Sequence, residues 1–209
     1  MIYQSFVGKL YTILPRLKKN NYIMKVYLYT YEYDKIKQEG YKSISMFDKN
    51  CELYKNILKT HRSSAKSENT EDILKYLEHT FEGRLRSICV ITDVAPVREY
   101  KHPYLNWLVH HADVISFDLN QLIKDGIVEA IYCKDLRQTA LVDSSFENIY
   151  KINDISEIDL SPNDWSLCEQ EKYKNISPWA TIKHYFLVLK NGYIPIQYIN
   201  LEVDNSSLR

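Results

Sequence analysis

The sequence predicts an α+β fold organised as one domain. Three observations carry that expectation. Short runs rich in Val, Ile, Tyr and Thr, such as KVYLYTY and RSICVIT, are mixed with short helical stretches. No strand–helix–strand unit recurs regularly, which argues against a parallel α/β sheet. The composition, 45% hydrophobic and 26% charged over 209 residues, is that of a chain able to bury one sizeable core.

Each element has its own signal. Residues 1–24 carry Phe6, Leu10, Ile13, Leu14 and Leu17 at helical spacing, cut by Pro15, and read as a short helix or a loose arm. Lys25–Tyr31 is a strand, aromatic at alternate positions. Glu32–Glu39 follows as a short helix with Gly40 as its stop, and Tyr41–Met46 returns as a second strand. Cys51–Thr60 is helical, with Leu53, Ile57 and Leu58 on one face. His61–Asn69 (HRSSAKSEN) is polar and Ser-rich without apolar anchors, and reads as a mobile loop. Thr70 then caps a helix through Phe81, with Glu71 and Asp72 in its first turn and Gly83 at its end. Arg86–Thr92 is a buried strand, Asp93–Pro103 a turn-rich loop, and Tyr104–His111 a short helix or strand. Val114–Leu119 and Val128–Cys133 are strands around a helical turn at Asn120–Asp125 that Gly126 terminates. Asp154–Asn175 is acidic and weakly periodic. Lys183–Leu189, the Asn191-Gly192 turn and Tyr193–Val203 read as a closing β-pair. The domain therefore spans residues 25–203, with a frayed tail at 204–209.

Lys+Arg and Asp+Glu both number 27, but they are not evenly spread. Residues 1–66 hold 13 basic against 5 acidic groups, and Asp135–Glu171 holds nine acidic groups against Arg137 and Lys151. A basic first third suits a phosphate-bearing partner; the plainer reading is that the two regions neutralise each other on folding. The 18 Tyr can build half-polar surfaces, since each buries a ring and keeps a hydroxyl. Cys51, Cys89, Cys133 and Cys168 form no C-x-x-C, and the six His form no H-x-x-x-H, so no metal site is expected. No apolar run approaches the ~18–20 residues that cross a bilayer, and no secretory leader is evident, so a reducing, cytoplasmic setting and no membrane partner are expected. The G-x-G-x-x-G, P-loop and G-x-S-x-G motifs are absent.

The order of segments resembles that of DarT-type DNA ADP-ribosyltransferases. LYTYEYDKIKQEGYKSIS resembles the family's opening strand, helix and Gly. RSICVITDVAPVREYKHPYLNWL resembles its strand and Pro segment, and ADVISFDLNQLIKDG its next strand, short helix and Gly. SFENIYKINDISEIDLSPNDWSLCEQEKYKN, with Asp164-Trp165, resembles its acidic stretch, and KHYFLVLKNGYIPIQYINLEV its closing Q-A-E strand. The likeness covers about residues 25–203. It implies an ADP-ribosyltransferase-like mixed fold of short strands and helices around a split central sheet. It also implies NAD as donor, a base of single-stranded DNA as acceptor, and a toxin or phage-defence role beside an antitoxin macrodomain.

The family's functional positions carry over only in part. Its early His falls on Thr30, beside Tyr29 and Tyr31, which could stack on a base. Its phosphate-binding Arg can fall on Arg62. Its catalytic Glu falls on Tyr185, next to His184. Breaking the nicotinamide–ribose bond develops oxocarbenium charge that a carboxylate stabilises. A Tyr, neutral at pH 7, does this poorly, whereas His184 could serve as a base. Neighbours in a strand point to opposite faces, so His184 and Tyr185 cannot share a cleft. Glu171 or Glu202 could substitute in space. The expected catalytic residues are thus Tyr185 and His184, and the expected NAD contacts are Tyr29, Thr30 and Arg62. Each has a plainer reading: Thr30 and Tyr185 as strand packing, Arg62 as a solvated charge, and Trp107, Trp165 and Trp179 as core anchors. Three functions follow: an ADP-ribosyltransferase, an inactive relative that binds nucleotide, nucleic acid or protein, or an unrelated α+β interaction module.

Overall fold

A computed structural model describes residues 24–92, 111–135, 147–151 and 183–205. Its elements run in the order β1 (Lys25–Thr30), α1 (Tyr33–Glu39), β2 (Tyr41–Lys42), α2 (Glu52–Lys59), α3 (Arg62–Ala65), α4 (Thr70–Thr80) and β3 (Ser87–Val90). Then come β4 (Asp113–Asp118), α5 (Leu119–Lys124), β5 (Val128–Asp135), β6 (Glu147–Lys151), β7 (Lys183–Leu189), β8 (Tyr193–Ile194) and β9 (Asn200–Val203). Helix and strand are mixed and every described strand pairing is antiparallel, as an α+β chain requires.

Two sheets form the frame. One has the order β1-β4-β9 and the other β3-β7-β5-β6, while β2 and β8 make a separate two-stranded ribbon. The two sheets meet at one bridge, where Tyr27 and Ile91 exchange backbone hydrogen bonds of 2.8 and 3.0 Å. Because side chains alternate along a strand, this bridge fixes which residues share a face. Val26, Ile115 and Phe117 of the first sheet and Ile88, Val90, Ile131, Tyr185, Leu187 and Leu189 of the second form one apolar core. Ile36 of α1 and Leu119 and Leu122 of α5 cover that face. On the opposite face of the second sheet, Phe186 and Val188 meet Phe81 just past α4, with Cys89, Ala130 and Tyr132 alongside. Tyr54, Leu58, Ile73 and Leu77 hold α2 and α4 together in a third apolar cluster.

Several expectations are corrected. The second strand stops at Lys42, and Ile44–Met46 winds into a 3-10 turn. The His61–Asn69 loop contains α3, closed by Lys66 in the left-handed region at φ 52°. The cap of α4 is Asn69, whose side chain accepts from the Glu71 N–H at 2.8 Å; Thr70 is already helical. Asn is among the best N-cap residues and outranks Thr, and here its side chain satisfies an otherwise orphan N–H of the first turn. Arg86 belongs to a 3-10 turn, Arg84–Arg86, that precedes a shorter β3. Glu147–Lys151 forms a further strand, paired with β5.

The closing β-pair does not form. The Asn191-Gly192 turn is present, with Gly192 at φ 67°, but β7 pairs with β3 and β5, β8 with β2, and β9 with β4. Long-range pairing to buried strands outweighs the local hairpin, since β7 is buried on both faces from His184 to Leu189. Asn205, just past β9, is held in place: its N–H donates to Asp113 Oδ1 at 2.8 Å and its Nδ2 donates to the Ala112 carbonyl at 2.7 Å, while 206–209 lie outside the described residues. The expectations for 1–23, Asp93–Pro103, Tyr104–His110 and Asp154–Asn175 lie outside the described residues, as do Glu171, Cys168 and the three Trp.

Candidate functional site

The bridge between the sheets sorts the expected site residues onto two faces. Tyr27 and Tyr29 share the face of Ile91, hence of Cys89, its cross-strand neighbour Phe186, and His184. Thr30 and Tyr185 lie on the other face, toward the core. The expected set is therefore divided: Tyr29 and His184 are on one side, Thr30 and Tyr185 on the other.

The chemistry of each follows from its surroundings. Thr30 Oγ1 accepts from the Glu32 N–H at 3.0 Å and so starts the turn into α1. That hydroxyl supports the backbone. Tyr185 is 1% exposed inside the main core. Arg62 lies on neither sheet. It opens α3 and forms an ion pair with Glu68 across the turn that follows, while its Nε is buried without a hydrogen-bond partner. Glu202 of β9 accepts from Lys25 Nζ at 2.7 Å and from Ser116 Oγ at 2.6 Å, reaching across the first sheet to β4 and β1.

His184 has the most informative environment. Its Nδ1 lies 3.2 Å from Cys89 Sγ, and the ring is buried. Burial pushes the Cys89 thiol up to about 12, with the Arg84 charge opposing weakly. A thiol held protonated is no nucleophile, because nucleophilic cysteines are thiolates. The pair is a polar contact that orients the imidazole.

Around it lies a group the sequence reading did not single out. Arg84 sits over the Phe186 ring at 4.6 Å and near the Phe81 ring at 5.7 Å, a cation on aromatic faces. Phe81 in turn stacks on Tyr132, with centroids 4.3 Å apart. Arg84 Nη1 donates to Ser87 Oγ at 2.9 Å, and that hydroxyl donates back to the Arg84 carbonyl at 2.8 Å. Burial pulls the guanidinium below its ordinary value, opposed by Cys89, Tyr41, Tyr76 and Glu78 in that order. Burial likewise pushes Tyr41 well above the usual phenol range. His61 is held below its ordinary value, first by burial and then by the Arg84 charge. The only hint in the sequence is F-E-G-R-L-R, a basic pair between a helix stop and a buried strand, which carries no recognised spacing.

Among the described residues no group of three or more His, Cys, Asp or Glu could hold a metal, and no helix is long and apolar enough to cross a membrane. No family model, curated protein or solved structure matches the chain.

Proposed function

We propose that the chain is a divergent protein of the DarT-type ADP-ribosyltransferase fold that binds NAD on the Tyr29–Cys89–His184 face without the family's carboxylate-driven transfer. What supports the fold is the split antiparallel sheet, three strands against four joined at Tyr27 and Ile91, together with the matching order of segments along the chain. What supports binding over transfer is one observation: the β7 position that corresponds to the family's Glu is Tyr185, neutral and sealed in the core. It can neither meet an oxocarbenium ion nor take a proton from an acceptor. The aromatic and cationic side chains on the opposite face suit a nucleotide, whose base stacks and whose phosphates take an Arg fork.

The basic first 66 residues favour a second reading, in which transfer to single-stranded DNA persists with His184 as base. In that reading an antitoxin macrodomain is the expected protein partner. Incubation with labelled NAD and mixed single-stranded oligonucleotides separates the two. Saturable NAD binding with no label on DNA supports the proposal. Label on DNA that a His184→Gln variant abolishes supports the second reading. Absence of NAD binding removes both and leaves an interaction module.

A further inference from the structure

Two arginines lie two positions apart in the turn before β3, and their surroundings differ. Arg86 is fully compensated. Its Nη1 pairs with Glu129 at 2.7 Å and reaches the carbonyls of Leu189 and Lys190 at 3.2 and 2.9 Å. Arg84 is not: its hydrogen bond goes to a neutral hydroxyl, and among the described residues no carboxylate stands within ion-pair distance. A guanidinium taken partly out of water with no carboxylate in direct contact is costly, so proteins pair such groups or use them on ligands.

The cost is set up in a particular way. The Phe186 ring supports one face of the guanidinium, and Ser87 fixes one of its nitrogens, so the fork is held before any ligand arrives. Of its five N–H donors, the bond to Ser87 uses one. Of the titratable groups near it, Cys89, Tyr41 and His61 are pushed toward their neutral forms; Tyr76 and Glu78 also act on it, and Glu78 turns a carboxylate oxygen to the Leu85 N–H at 3.3 Å. Neutral hydroxyl and thiol groups donate to an anion without repelling it.

We infer that Arg84 is an anion receptor for the phosphate or diphosphate of a small nucleotide, and that it, not Arg62, takes the phosphate-binding role. The inference rests on the nucleotide reading for its ligand, while the receptor itself is testable without a nucleoside. A small nucleotide is favoured over a nucleic-acid strand because the guanidinium lies half-buried between two Phe rings. Arg62 already has Glu68.

The experiment titrates the full chain with inorganic pyrophosphate, with NAD and with a single-stranded oligonucleotide, while following the Arg84 Nε–H signal by NMR. Saturable movement of that signal with pyrophosphate is expected. Affinity should fall about tenfold or more in Arg84→Gln, fall partially in Arg84→Lys, which keeps charge without the fork, and stay unchanged in Arg62→Gln. A signal unmoved by pyrophosphate, or moved only by the oligonucleotide, overturns the inference. The wild-type signal decides even if Arg84→Gln fails to fold. Pyrophosphate seated at Arg84 without any NAD binding upholds the receptor and removes the nucleotide reading. NAD bound with Arg84 unmoved does the reverse.

Discussion

Thr30 shows how a residue placed by resemblance acquires a local task. Its hydroxyl receives the Glu32 N–H, so Thr30→Val, equal in shape, should cost about 1 kcal/mol in chemical denaturation and leave NAD affinity unaltered. A loss of NAD affinity with stability intact would return Thr30 to the site. Cys89 and Cys51 offer a contrast in reactivity. With its thiol pushed up to about 12, Cys89 should be alkylated in the native protein far more slowly than Cys51, and equal rates would contradict its protonated state. His61 gives a pH dependence. Its folded value lies below the unfolded one, so the native state favours the neutral ring; stability is full above the unfolded pKa near 6.5 and declines as pH falls through it. His61→Gln should narrow the stability difference between about pH 8 and about pH 5.5, read from urea midpoints at each pH.

Elements are decided by caps, turns and partners, and here the structure allows sharp contrasts. Asn69→Ala should destabilise by about 1 kcal/mol through loss of the α4 cap, whereas Thr70→Ala should change little. The opposite ranking in thermal melts would mean the cap is misplaced. Gly40 closes α1 at φ 76°, and a Cβ there would lie 2.5 Å from Tyr193 Oη and 2.6 Å from the Ile194 carbonyl. Gly40→Ala should therefore cost more than about 1 kcal/mol, because left-handed strain and the clash with the β2–β8 ribbon add. Helices with a strong periodic face, such as Glu52–Lys59, and strands of β-branched and aromatic residues, such as β1 and β3, were legible in the sequence. Their signals are local. Pairing was not: the NG turn after Leu189 promises a hairpin, yet β7 goes to the centre of a sheet because both its faces are apolar. The short α3 escaped notice because its four residues carry no apolar stripe and one turn suffices to bury little.

At the scale of the whole molecule, the α+β class was readable from mixed short elements, while the division into two main sheets, set by long-range pairing, has no local signal in the sequence. The candidate site was legible in fragments. Tyr29 and His184 do share a face with Cys89, a parity visible once Tyr27 is bridged to Ile91. Thr30 and Tyr185 fell on the core side for the same reason. Arg84 could not be found from sequence, since what distinguishes it from Arg86 is a missing carboxylate, and that depends on where Glu129 lies in space. In the proposed reading, the Phe186 face of the second sheet holds a nucleotide with its diphosphate at Arg84. A crystal structure of the protein soaked with NAD tests it most directly. The expected result is intact NAD with its phosphates on the Arg84 fork and His184 alongside. Side chains unmoved and unliganded there at saturating NAD, or the dinucleotide seated on another surface, would contradict it.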